Sequence, residues 1–168
     1  GPAAEPPGRA PGRRAPSPRR TQPLVPHVAA HRLETGVADV ALDLGGLAEG
    51  QVAGLCHFSR DATTLGVRRT AGVTTLEFTH DRKRLAGPRF DSPHLGLRAV
   101  WGLEGRSEYF YSVDGRSFLP FGEPYQLGWG HYRGDRIGLY TYNHDGDHGF
   151  VDVDWFTYTY ASPALKAQ

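Results

Sequence analysis

Residues 110–125 read FYSVDGRSFLPFGEPY. An Asp-Gly pair, here Asp114-Gly115, between stretches rich in alternating aromatic residues is a strong short-range signal for a β-hairpin. The stretch therefore predicts one strand over 106–113, RSEYFYSV, and a second over 116–122, RSFLPFG. The same period of two recurs on both sides. In VADVALDL, 37–44, Ala38, Val40, Leu42 and Leu44 alternate with Val37, Asp39, Ala41 and Asp43, as in a half-buried strand. Further strands are expected at 51–58, 63–69, 73–80, 94–102, 136–143 and 149–160, separated by Gly-rich or polar turns such as Gly45-Gly46, Arg60-Asp61 and Ala71-Gly72. About nine short strands, with no segment of helical period, predict an all-β sandwich of two antiparallel sheets. No repeat of fixed length appears, which argues against a propeller.

The last strand, GFVDVDWFTYTY, is expected to turn Val151, Val153 and Trp155 to the core and Asp152, Asp154 and Phe156 to the other face. The two carboxylates would stand roughly 6–7 Å apart along one strand. A glycosidase pair instead flanks its substrate from both sides of a cleft, so the aspartates read as a solvated or edge face.

Composition divides the 168 residues into a tail at 1–34, a sandwich at 35–160 and a C-terminal tail at 161–168. Residues 1–26 hold eight of the 13 prolines, five arginines and one acid, and no aromatic residue precedes Phe58. Such a segment buries too little apolar surface to offset its ordering entropy, so disorder is expected. It reads as a solvated tail, or as a non-native segment of the kind obtained from GC-rich DNA out of frame. The initial Gly-Pro and the absence of Met fit a processed or truncated piece. The net charge of +1 gives no pull toward nucleic acid, and no apolar run is long enough for a membrane helix, so neither partner is expected. The single cysteine, Cys56, excludes an internal disulfide and, within the apolar VAGLCHF, predicts a buried thiol.

Few residues carry a signature of chemistry. In NHDGDHG, 143–149, Asn143, Asp145 and Asp147 alternate like ligands of a calcium loop, with Asp154 at the twelfth position. The match then fails, since His148 stands where glycine is needed and no bidentate Glu follows. A polar connection between strands explains the same residues. No cofactor is expected, with calcium at Asn143, Asp145 and Asp147 as the minor alternative. The eight histidines form no HExxH motif, and no GxSxG elbow occurs. All three Trp and all eight Tyr lie after residue 100. Most suit a sandwich core. Trp129 differs, because Gly128 and Gly130 flank it in QLGWGHYRG. With His131 and Tyr132 it reads either as an aromatic contact surface or as ordinary packing.

The blocks LDLGGLAEGQVAGLCHFS, LGVRR, FYSVDGRSFLPFGEPYQLGWGHYRGDRIGLYTYN and GFVDVDWFTYTY resemble the C-terminal domain of glycoside hydrolase family 43 β-xylosidases and arabinofuranosidases, in order over residues 37–160. The resemblance implies a concanavalin-A-like jelly-roll sandwich packed on a five-bladed catalytic propeller. That propeller carries the catalytic carboxylates, so no catalytic residue is expected in this chain. It further implies that the loop before the Gly-Asp-Arg-Ile-Gly strand reaches the mouth of the active site. Tyr132 then takes the aromatic position, with Trp129, His131 and Arg133 beside it, facing a xylo- or arabino-oligosaccharide. The family's upstream strands have no clear counterpart here, which points to a fragment of a longer enzyme or an interrupted gene. Two other readings stay open: a freestanding carbohydrate-binding module, and a sandwich-fold glycanase, for which an ExDxxE-type strand is missing.

Overall fold

The computed structural model describes residues 29–30, 35–102, 105–127 and 135–161. These residues form two antiparallel sheets. In spatial order, the first sheet comprises β1 (Ala29–Ala30), β11 (Asp135–Asn143), β3 (Gln51–Phe58), β4 (Ala62–Thr70), β5 (Val73–His80) and β6 (Lys83–Arg89). The second comprises β10 (Tyr125–Gln126), β8 (Arg106–Ser112), β7 (His94–Trp101), β2 (Thr35–Asp43) and β12 (Asp152–Ala161), and β9 (Leu119–Pro120) also pairs with β8. The all-β sandwich expected from the sequence is therefore present, with the fold of a concanavalin-A-like domain.

The alternation read from VADVALDL holds residue by residue. Ala38, Val40 and Leu42 are buried, while Asp39, Ala41 and Asp43 are only half-buried. Their inner face meets Leu55 of β3, Leu65 and Val67 of β4, Leu76 and Phe78 of β5, and Ile137 of β11 in one core. Fully burying such a side chain stabilises a fold by about 1.5–3 kcal/mol. Cys56 is buried as expected, and burial pushes its thiol up to about 12, so it stays protonated at neutral pH.

Turn chemistry sets the strand order. β4 and β5 close on the pair Thr70–Val73, and Ala71 and Gly72 both take positive φ, 52° and 74°. β5 and β6 close on His80–Lys83, with Asp81 at 49° and Arg82 at 63°. Positive φ at both central residues is the mirror-image turn whose twist suits paired strands. The Asp114-Gly115 hairpin is wider than the sequence implies. Tyr111 pairs with Leu119 and Phe110 with Pro120, so the connection runs over residues 113–118 and β9 is two residues long. Asp114 organises it: its Oδ1 accepts the Ser117 and Arg116 amides, each at 2.8 Å, and the Ser112 hydroxyl at 3.0 Å. These donors, Ser117 first, hold its carboxyl down at about 2.

Two features depart from the expected pattern. The strand β6, KRLAGPR, has no alternation of its own and lies mostly exposed at a sheet edge. In β12 the register shifts between Val153 and Trp155, so that Val153 opposes Leu42 while Trp155 opposes Ala41. One extra residue in the strand reverses the facing of everything after it. Phe156 and Tyr158, opposite Val40 and Ala38, pack on the core, whereas Trp155 is 47% and Val153 46% exposed. The expectation that Trp155 points inward while Phe156 points outward is corrected by this bulge; Val153, opposite Leu42 ahead of the shift, is exposed at the bulge itself. Asp152 and Asp154 are exposed.

The bulge makes a direct prediction. Phe156→Ala should cost about 2–3 kcal/mol, toward the low end for removal of a packed aromatic ring, and Trp155→Ala less than about 1 kcal/mol. Urea unfolding of the two variants measures this; a larger loss from Trp155→Ala would contradict the register.

Candidate functional site

The sandwich has two ends, and its pairing assigns the candidate residues between them. At one end lie the turn after Phe58, the β5–β6 turn, the start of β2, Trp101 and the start of β11, because Arg136 pairs with Phe58 and Gly36 with Trp101. Here the chain leaves the second sheet after β10 and enters the first at β11. The segment between them contains Trp129, His131, Tyr132 and Arg133, which lie outside the described residues. Its flanks are well anchored: Tyr125 and Leu127 before it, and Ile137 after it, are buried.

A polar cluster lies under those anchors. His57 Nδ1 and the Tyr125 hydroxyl share a hydrogen bond of 3.0 Å. The Tyr109 hydroxyl donates to the Thr63 carbonyl at 3.1 Å and lies 3.1 Å from Thr63 Oγ1. The Tyr109 and Tyr125 rings stack at 5.1 Å, and His57 tilts against Trp101 at 5.9 Å. Burial lowers His57 to about 4 and pushes Tyr109 and Tyr125 upward, so all three are neutral at physiological pH. Neutral, enclosed groups of this kind orient the chain rather than exchange protons with a ligand. At the same end, Asp61 Oδ2 and Asp81 Oδ2 stand 3.7 and 3.9 Å from His80 Nε2. The three side chains offer ligand atoms within 4.8 Å of one another, a spacing that suits a cation and equally a charged imidazolium. No local motif announces this trio, because Asp61 and His80 meet only through the pairing of β4 with β5.

At the opposite end are the Asp114 hairpin and the NHDGDHG loop. Asn143 and Asp145 come together there, but in a local turn. Asn143 Oδ1 accepts the Asp145 amide at 2.8 Å, while its Nδ2 donates to the Glu49 carbonyl at 2.8 Å and the His148 carbonyl at 3.1 Å. This ties the loop to the 44–51 connection. Asp147 is exposed and lines a cavity of about 270 Å³ with Gln51, His148 and Phe150.

A further concavity, not singled out by the sequence, crosses the outer face of the first sheet. It measures about 310 Å³ and is lined by Val52, Cys56, Thr64, Glu77, Thr79 and Tyr140, with Thr141 and Tyr142 at its margin. Glu77 is buried there, its carboxylate gripped by Arg68 Nε at 2.7 Å and Nη2 at 3.0 Å, with Arg84 Nε at 3.3 Å.

The profile of the β-xylosidase C-terminal concanavalin-A-like domain family matches residues 21–159. The chain belongs to this family. A β-xylosidase of Formosa agariphila is 33% identical over 146 residues, which is 81% of this chain and 23% of that enzyme. This chain thus spans about a quarter of the curated relative it matches. Solved structures share the fold: a bifunctional GH43-CE protein of Bacteroides eggerthii gives a TM-score of 0.67 at 22% identity, covering 74% of this chain and 17% of that one. The xylan β-1,4-xylosidase of Bacillus halodurans C-125 gives 0.63 at 15% identity, covering 75% and 27%. The family match begins at residue 21 and so takes in β1, both within the stretch that composition sets apart as 1–34.

The buried cluster carries a pH signature. His57 binds a proton less readily folded, at about 4, than unfolded, at its ordinary 6.5. Its contribution is intact above pH 6.5 and is lost as the pH falls toward 4, because the unfolded chain then takes up a proton that the fold refuses. The loss should approach about 3 kcal/mol. In His57→Gln, urea unfolding between pH 7.5 and 4 should show a shallower decline; an unchanged slope would refute the assignment.

Proposed function

We propose that this sandwich is the non-catalytic domain of a xylan- or arabinoxylan-degrading glycosidase, packing on a catalytic propeller and shaping its substrate pocket. The observation that carries this reading is the family match over residues 21–159 together with coverage of 23% of the β-xylosidase relative. A domain that occupies that fraction of an enzyme has a larger partner to serve. The disposition of its carboxylates supports a non-catalytic role. Glu77 is gripped by Arg68, and Asp39 receives Arg98 Nε at 2.6 Å and Nη2 at 2.9 Å. A general acid needs a proton to give and a general base needs a free lone pair directed at substrate, whereas these oxygens are committed to guanidinium groups.

Contact with the sugar then falls to Trp129, His131, Tyr132 and Arg133. In the chain their segment lies between buried anchors of the two sheets, Tyr125 and Leu127 before it and Ile137 after it. An aromatic ring beside a sugar subsite acts by positioning, and small displacements of a bound sugar are costly in rate. The partners of this domain are accordingly a propeller and, through it, a xylo- or arabino-oligosaccharide.

Two measurements test the reading. The purified chain should leave 4-nitrophenyl β-xyloside and α-arabinofuranoside intact, and robust turnover by the chain alone would overturn it. Mixed with the propeller domain of a family 43 β-xylosidase, it should co-elute in size-exclusion chromatography. In that assembly Tyr132→Ala should lower kcat/KM by about tenfold, equivalent to about 1.4 kcal/mol.

A further inference from the structure

Sandwich cores account for aromatic residues on inner faces. They do not account for the outer face of β11. Leu139 packs on the core, so Tyr140 and Tyr142, of opposite parity, face outward, and His144 continues their line. Tyr140 and Tyr142 lie 6.2 Å apart with rings inclined by 34°, and His144 meets Tyr142 edge-on at 4.9 Å. Tyr142 is 45% exposed.

The trough beside this strip arises from a row of cross-strand partners, Tyr140–Gly54–Gly66–Glu77. Two adjacent strands each present a glycine there, leaving a gap in the outer side-chain layer. Tyr140 falls into it: a Cβ on Gly66 would lie 2.6 Å from the Tyr140 hydroxyl. The ring therefore spans β3 and brings its hydroxyl beside Gly66 on β4. Tyr142 and Val52 line one side of the trough, Cys56, Thr64 and Thr79 the other, and Glu77 lies within it. Tyr142 stands in the next cross-strand row, Tyr142–Val52–Arg68, beside the ion pair.

We propose that this trough binds a β-linked pyranose chain such as the xylan backbone, with Tyr140 and Tyr142 as its stacking platform. The chemistry favours a neutral polyhydroxylated ligand. Glu77 is paired with Arg68 and with the exposed Arg84, so its charge is fully compensated and the site offers a cation no net negative charge. The Arg68 and Arg84 guanidinium groups present donors at its edge, and the Thr64 and Thr79 hydroxyls, 2.6 Å apart, add a second polar edge. Flat aromatic surface flanked by such groups matches a sugar ring, which is apolar on its C–H faces and polar around its rim. The volume of about 310 Å³ is at the small end of ligand sites, enough for one or two rings. Beyond the trough the exposed edge of Tyr142 and His144 gives a longer chain somewhere to run. The choice of xylan among β-linked glycans rests on the enzyme context proposed above; the trough itself does not.

Affinity electrophoresis of the whole chain tests this directly, in gels containing arabinoxylan, mixed-linkage β-glucan or starch. Arabinoxylan should retard the protein. Tyr142→Ala should weaken that retardation about tenfold with an unchanged melting temperature, and Tyr142→Phe, which keeps the ring, should preserve it. Retardation by arabinoxylan alone assigns a pentose chain, and retardation by β-glucan as well assigns the shared β-linked pyranose backbone. Free migration in arabinoxylan, equal retardation by starch, or undiminished binding by Tyr142→Ala would each overturn the proposal. Those results would leave the co-elution with a propeller untouched, so the two readings fail separately.

Discussion

The two sheets are joined by more than apolar contact. Tyr109 reaches from β8 in one sheet to Thr63 on β4 in the other, and Tyr125 from β10 to His57 on β3. Apolar burial is non-directional and would tolerate some sliding of one sheet over the other. A hydrogen bond across the core is not, because a polar atom that loses its partner there costs about 1–3 kcal/mol. These contacts fix the relative position of the sheets at one end. They also fix the two points between which the 128–134 segment is hung. The stacked Tyr109 and Tyr125 rings extend the same constraint into the aromatic packing around Phe78, which meets Tyr109 at 6.1 Å and Tyr125 at 6.5 Å.

Much of the architecture is legible in short-range pattern, and the failures have physical causes. The alternation of β2 is faithful because one of its faces looks into the core along its whole length. β6 escapes detection because an edge strand needs no alternation; Pro88 and four Lys or Arg residues (Lys83, Arg84, Arg89 and the turn residue Arg82) read as loop. In β12 every residue type is right and the facing is wrong, because a bulge adds a residue without a local sequence marker strong enough to announce it. The hairpin at Asp114-Gly115 is announced correctly, yet the side-chain bonds of Asp114 broaden its connection.

The candidate sites divide in the same manner. The stretch from Trp129 to Arg133 stands out through local composition, since Gly128 and Gly130 flank an aromatic residue. The trough does not, because Tyr140, Gly54, Gly66 and Glu77 become neighbours only through pairing of four strands. Asp61 and His80 meet in the same non-local way, across β4 and β5. Conversely, Asn143, Asp145 and Asp147 look like a ligand set when read along the chain. In space the Asn143 amide is engaged with three backbone groups and braces the loop.

Strand β11 shows why the outer face has chemistry at all. Its inner residues Ile137 and Leu139 are required by the core, and the period of two then delivers Tyr140 and Tyr142 to the opposite side whether or not they are useful there. A solvated face is normally filled with small polar or charged residues, and two tyrosines in succession leave apolar area in water. Packing offers Tyr140 partial compensation, because Gly54 and Gly66 receive its ring. Glycine in a strand interior generally weakens it by roughly 0.5–1 kcal/mol relative to alanine, but here the backbone leaves no room for alanine, since a Cβ on Gly54 would meet the Leu65 carbonyl and one on Gly66 that of Ala53. The paired glycines thus answer to the close approach of the backbone, whereas the exposed Tyr142 does not improve the fold by itself. Together they produce an aromatic floor beside a paired carboxylate, and it is the exposed ring of Tyr142 on that floor, rather than the glycines under it, that stability leaves unexplained.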